Sequence, residues 1–190
     1  MSHGTSKIIR FDRLEDDLRL ILLNGVTATT NYFELNNPQT DTEKAIVEFL
    51  DRQGFVCDKR YVEFWFQQQS ANDSLWPHVD FNDKLRLQLA EGHKIPPEKL
   101  MSSITISCYL EAEDMEGGEL CISHRSWLDY EYEIHPPEAL MKELLNYTYE
   151  TYKPIVGDVV YFEGSRWYHC INQLTRGTRK SILINFWDEI

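Results

Sequence analysis

Most of what this chain could be is removed by what it has little of. It carries only four cysteines, at positions 57, 108, 121 and 170, and none form a C-x-x-C pair, so neither a zinc ribbon nor a thioredoxin-type redox motif is encoded. Isolated thiols suit a reducing compartment. No apolar run approaches the roughly 20 residues that span a bilayer. Residues 1–7 contain no hydrophobic stretch of signal-peptide length. The expectation is a cytoplasmic protein with no membrane partner. Positive charge is also scarce: 19 Lys and Arg against 31 Asp and Glu leave a net charge of -12. Such a surface is repelled by polyanions, which argues against wholesale binding to nucleic acid. Repeats, low-complexity tracts and Gly/Ser linkers are missing too. At 190 residues the length fits one domain with a sizeable core, so residues 1–190 are expected to form a single unit. Nothing in the sequence specifies an oligomeric state.

The patterning that is present divides the chain in two. Residues 1–59 read as a helical N-terminal support. There Thr40-Asp41-Thr42-Glu43 has the spacing of a capping box, Ala45, Ile46, Phe49 and Leu50 make an apolar stripe, and Gly54 can end the helix. From about Tyr61, short β-rich segments alternate with turn residues, at 60–68, 103–111, 119–124, 155–163 and 179–187. One helix is expected after Pro136-Pro137, where Leu140, Met141, Leu144 and Leu145 recur at helical spacing. The predicted fold is mainly β with peripheral helices, a double-stranded β-helix or jelly roll over residues 60–190. Residues 82–101, with His93 and Pro96-Pro97, form a long charged insertion that is a candidate lid.

Three side chains in this framework have the composition of a metal site. In the extended segment Trp76-Pro77-His78-Val79-Asp80-Phe81, alternation sends His78 and Asp80 to one side. His169, in Trp167-Tyr168-His169-Cys170, is the third candidate ligand. Two histidines and one carboxylate can occupy one face of an octahedral ferrous ion and leave the opposite face open. On their own they leave zinc or a cupin-like metal equally open. Downstream, Arg179 and Ser181 share one face of a predicted strand, where a guanidinium and a hydroxyl can together grip a carboxylate. An isolated strand arginine is more often a surface residue. Tyr109 lies on the polar face of 103–111 with Thr105 and Ser107 and could reach the same carboxylate, or simply fill the interior. His3, His93, His124 and His135 have no partner at ligand spacing. Of these, only His124, followed by Arg125, is a candidate for a pocket rim. The acidic run 111–116 reads as a solvated loop.

In order along the chain stand His78-Val79-Asp80, Ser107-Cys108-Tyr109-Leu110-Glu111, Gly117-Gly118-Glu119-Leu120, Gly157-Asp158-Val159-Val160-Tyr161-Phe162, His169 and Gly177-Thr178-Arg179-Lys180-Ser181. Over residues 60–188 this series resembles the prolyl-4-hydroxylase-type branch of the 2-oxoglutarate/Fe(II) oxygenases. The resemblance implies that His78, Asp80 and His169 bind Fe(II) and serve as the catalytic centre. It implies further that Arg179 and Tyr109, with Ser181, hold the distal carboxylate of the cosubstrate 2-oxoglutarate. O2 is then the oxidant and ascorbate a candidate reductant, with succinate and carbon dioxide released as a C–H bond is hydroxylated. The carboxylate of Asp80 implies hydroxylation rather than halogenation. One departure stands out: where the animal relatives carry a tyrosine about ten residues before His-x-Asp, this chain has Gln67-Gln68-Gln69, and Gln68 is the candidate replacement, donating to the cosubstrate or contacting the substrate. Trp187 closes the pocket wall or fills the core. The substrate is expected to be a protein, peptide or amino-acid side chain of prolyl type. A free small molecule, or a non-catalytic cupin-like binding module, is the alternative.

Overall fold

The computed structural model describes residues 7–25, 27, 29–82, 87–88, 91–94, 96, 104–126 and 150–188. The helix expected after Pro136-Pro137 and most of the 82–101 insertion, with its lid role, lie outside the described residues, as do His3 and His135.

In chain order the elements are β1 (Ile9–Arg10), α1 (Asp16–Asn24), β2 (Asn31–Glu34), α2 (Asp41–Arg52), β3 (Tyr61–Ser70), β4 (Leu75–His78), β5 (Thr105–Gly117), β6 (Leu120–Ser126), β7 (Glu150–Tyr152), β8 (Val159–Phe162), β9 (Trp167–Ile171) and β10 (Leu174–Trp187). They form two antiparallel sheets, one in the order β1-β8-β5-β10-β3-β2 and one in the order β4-β9-β6-β7. This is the jelly roll that the strand pattern predicts.

The two faces of the larger sheet have opposite chemistry. On one, Val62 and Phe64 of β3, Ile106 and Cys108 of β5, and Ile182 and Ile184 of β10 pack against Leu18 and Leu22 of α1 and Ile46 and Phe49 of α2. Because side chains alternate along a strand, the residues between them face the other way. These are Thr105, Ser107 and Tyr109 of β5 and Arg179, Ser181 and Asn185 of β10, all buried. Tyr109 packs with Leu120 and Ile122 of β6 and Ile171 of β9, which places this polar face against the smaller sheet.

Helix α2 begins as its sequence predicts. The Thr40 hydroxyl accepts from the Glu43 N–H at 3.2 Å, and the Glu43 carboxylate accepts from the Thr40 N–H at 3.2 Å. Beyond its end, Gly54 adopts a φ of +62°, which an L side chain resists.

The N-terminal third is not wholly helical, however: β1 and β2 supply both edge strands of the larger sheet. They are short, and their partners β8 and β3 supply the pairing surface, so the local sequence carries little signal. The strand expected over 155–163 shrinks to β8. Gly157 turns the chain at a φ of +84°, donating its N–H to Tyr109 O at 2.8 Å. Conversely, β5 and β10 run beyond their expected ends because they pair with each other from Asn185↔Thr105 to Leu174↔Gly117. A register shift between Lys180 and Ser181 marks a bulge beside Arg179 and Ser181.

Candidate active site

His78 closes β4 directly opposite His169 of β9. That pairing brings the two imidazole centroids to 4.2 Å. Asp80 follows two residues later and is fixed by its backbone N–H, which donates to Gly164 O at 3.0 Å. Its Oδ1 then lies 3.7 Å from His78 Nε2 and 3.6 Å from His169 Nε2. Candidate ligand atoms of the three residues lie within 4.8 Å of one another.

The outer contacts select which atoms can bind. His78 Nδ1 is 2.8 Å from Trp76 O and His169 Nδ1 is 3.1 Å from Trp167 O. A carbonyl only accepts, so each Nδ1 carries the proton and each Nε2 keeps its lone pair for a metal. His169 Nε2 is buried and makes no hydrogen bond, as suits a metal ligand. Burial, with His169 beside it, pulls His78 from 6.5 down to about 4, so it is neutral at pH 7 and ready to ligate. For Asp80 burial works against ionisation, but the His169 and His78 imidazoles and the Thr105 hydroxyl outweigh it and hold the carboxyl well below its ordinary value. Two imidazoles and one carboxylate form a donor set that fits Fe(II).

Across the interlayer, on the inward face of the larger sheet, sits a cation with no counter-ion among the described residues. Arg179 is 1 % exposed. Its Nη1 donates to Gly118 O at 2.9 Å, its guanidinium lies 5.0 Å over the Tyr109 ring, and its Nε is unpartnered. No carboxylate among the described residues pairs with it. Burial pulls its pKa down, with partial relief from Tyr109, yet a guanidinium stays protonated in proteins. Ser181, the cross-strand partner of Tyr109, points the same way. The Ser181 hydroxyl and the Tyr109 hydroxyl are both buried without partners. A buried uncompensated charge costs about 3–5 kcal/mol, so this end of the interior is built for an anion.

The model of the 2OG-Fe(II) oxygenase superfamily matches residues 64–187. The chain belongs to this superfamily. Its fold has relatives among solved structures. A Pseudomonas putida prolyl-4-hydroxylase is 14 % identical with a TM-score of 0.55, covering 98 % of this chain and 87 % of its own. A viral collagen prolyl hydroxylase from Paramecium Bursaria Chlorella virus-1, solved with 2OG, is 16 % identical with a TM-score of 0.51, covering 98 % and 99 %. A Trichoplax adhaerens prolyl hydroxylase in complex with a hypoxia inducible factor peptide fragment is 14 % identical with a TM-score of 0.50, covering 98 % and 86 %. No curated protein matches the sequence.

As a 2-oxoglutarate/Fe(II) dioxygenase, the chain uses Fe(II) and 2-oxoglutarate, and the reading as a non-catalytic cupin-like module gives way. Within this oxygenase the structure brings together His78, Asp80 and His169, and sets Tyr109, Arg179 and Ser181 on one buried face. It does not bring Gln68 to them. Gln68 pairs with Lys180, between the inward-facing Arg179 and Ser181, and is exposed. The inward glutamines are its neighbours Gln67 and Gln69, opposite Ser181 and Arg179, whose Oε1 atoms are buried and unpartnered. One residue of register separates the two outcomes. His124 is exposed, and Trp187 fills the core, its indole donating to Glu63 Oε2 at 2.9 Å.

Two participants escaped the sequence reading. Thr105 donates to Asp80 Oδ2 at 2.7 Å, and Gly164 leaves room for that pair, since a Cβ there would collide with both Thr105 Oγ1 and Asp80 Oδ2. Alternation assigned Thr105 to the polar face, but only the fold reveals its partner.

Proposed function

We propose that the oxygenase hydroxylates a C–H bond of a protein, peptide or amino-acid side chain, of prolyl type, releasing succinate and carbon dioxide. The observation that carries the cosubstrate half of this reading is the buried Arg179, which meets no carboxylate among the described residues. In our reading its guanidinium, with the Tyr109 and Ser181 hydroxyls, takes the distal carboxylate of 2-oxoglutarate. His78, Asp80 and His169 would hold the iron. Bound there, the iron would supply oxygen activation coupled to decarboxylation of the cosubstrate. The protein's part is to present two imidazoles and one carboxylate, to hold both Nδ1–H groups on backbone carbonyls, and to neutralise the cosubstrate's far end away from water.

The substrate half rests on how the site opens. The side chains of Asp80 and His169 are 7 % and 3 % exposed, whereas that of His78 is 35 % exposed. Trp76, two residues earlier on β4, is 62 % exposed. A reactive centre reached from solvent suits a side chain presented on a larger molecule. The Trichoplax adhaerens enzyme, of similar fold, is described with a peptide bound. The second reading keeps the chemistry and takes a free small molecule.

The test is a panel of proline-containing peptides, free amino acids and small metabolites, incubated with Fe(II), 2-oxoglutarate and oxygen. Succinate release should rise with a peptide, and mass spectrometry should find one oxygen added to it. Stimulation by metabolites alone would favour the second reading. Absence of succinate under every condition, with metal and cosubstrate bound, would sink both.

A further inference from the structure

We infer that Thr105 is a positioning residue that dictates how Asp80 presents its carboxylate to the metal, with Gly164 as the wall that makes the contact possible. The inference rests on the reading of His78, Asp80 and His169 as the iron ligands.

Thr105 begins β5, flanked by its cross-strand partners Phe162 on β8 and Asn185 on β10, and its side chain is fully buried. Its hydroxyl donates to Oδ2 of Asp80 at 2.7 Å. The other oxygen, Oδ1, is the one that faces both Nε2 atoms, at 3.7 and 3.6 Å. The two oxygens of one carboxylate therefore have separate duties. Without the hydroxyl, the carboxylate plane could turn about Cβ–Cγ and offer either oxygen. With it, rotation would break a buried charge-assisted hydrogen bond, and the broken partner would find no water.

Gly164 sets the other limit. Its carbonyl accepts the Asp80 N–H at 3.0 Å, and any Cβ at this position would strike both members of the hydroxyl–carboxylate pair. Asp80 is thus gripped at its backbone by one residue and at its side chain by another, from two distant parts of the chain. Outer contacts of this kind typically change metal affinity by about 10–100-fold when removed.

Valine copies the shape of threonine without the donor, and serine keeps the donor with less bulk. Metal-free protein would be titrated under anaerobic conditions with Mn(II), read by calorimetry, and with Co(II), read by its visible ligand-field spectrum. Thr105→Val should bind Mn(II) at least about tenfold more weakly than the unaltered protein and shift the Co(II) bands, while Thr105→Ser should lie within about twofold of it. Thermal unfolding of each metal-free variant checks that the fold persists. If Thr105→Val does not fold, Gly164→Ala carries the test, since it crowds the same pair with the hydroxyl intact and should weaken Mn(II) binding comparably. Unchanged affinity and bands in Thr105→Val would overturn the inference. So would a serine variant as impaired as the valine one, which would assign Thr105 a packing role. If the unaltered protein bound neither ion, the metal site itself would fall, and this inference with it.

Discussion

Arg179 is the residue whose surroundings constrain function most tightly. A buried cation is tolerated when something negative meets it, and the described residues around it supply a carbonyl, a ring face and two unpartnered hydroxyls. Arg179→Ala should therefore weaken 2-oxoglutarate binding by more than about tenfold, the loss of a charge-assisted contact of about 1.5–3 kcal/mol, with little effect on metal binding. Equilibrium titration of the Mn(II)-loaded protein reads this, and unchanged affinity would remove Arg179 from the clamp. His78 makes a separate prediction about pH. Its folded value near 4 lies below its ordinary 6.5, so between these limits the unfolded chain binds the proton more readily than the native one. Stability of the metal-free protein must then fall as pH drops from 6.5 towards 4. About a third of the side chain is exposed, so solvent blunts the size of the effect but not its sign. Asp80, held low, adds its own loss only below its ordinary 3.8. Denaturant unfolding at several pH values should show the slope, and His78→Gln should flatten it between pH 4 and 6.5. A slope unaltered in that variant would refute the assignment.

At the scale of elements, register decides what each strand offers the site. The glutamines of β3 show this: Gln67 and Gln69 face inward opposite Ser181 and Arg179, and Gln68 faces out. Gln68→Ala should leave 2-oxoglutarate affinity unchanged, whereas Gln69→Ala should alter it; the reverse result would mean that the β3 register is shifted by one. Helix α2 supports the sheet from its far side, so its defects should be felt in stability alone. Thr40→Ala removes half of the capping box and should cost about 1 kcal/mol in chemical denaturation while cosubstrate binding stays intact. What was legible in the sequence follows the same division. His78 and Asp80 could be read as a pair because strand alternation is a local rule, and α2 because capping and amphipathic spacing are local too. The edge strands β1 and β2, the extension of β10 to Leu174 and the Thr105–Asp80 contact depend on partners far along the chain. No window of sequence contains them.

On the scale of the whole molecule, the candidate site is divided between the two layers. His78 and His169 belong to the smaller sheet, through β4 and β9, whereas Tyr109, Arg179 and Ser181 belong to the larger one, through β5 and β10. A dicarboxylate held at one end by the metal and at the other by Arg179 would cross from one sheet to the other. Metal alone would tie together β4, β9 and the segment carrying Asp80. Cosubstrate alone meets a cation but has no metal to chelate. Both together should therefore stabilise the fold by more than the sum of their separate effects. A ligand at 100 times its Kd adds about 2.7 kcal/mol by mass action, and in a chain of this size each kcal/mol raises Tm by about 2–4 °C. Thermal unfolding with Mn(II), with 2-oxoglutarate and with both, in the absence of oxygen, should then show a small shift for 2-oxoglutarate alone, a larger one for Mn(II), and the largest for the pair. In Arg179→Ala the Mn(II) shift should survive and the extra gain from the pair should vanish. Strictly additive shifts in the unaltered protein would mean that metal and cosubstrate do not meet across the interlayer, and the bridging geometry would have to be abandoned.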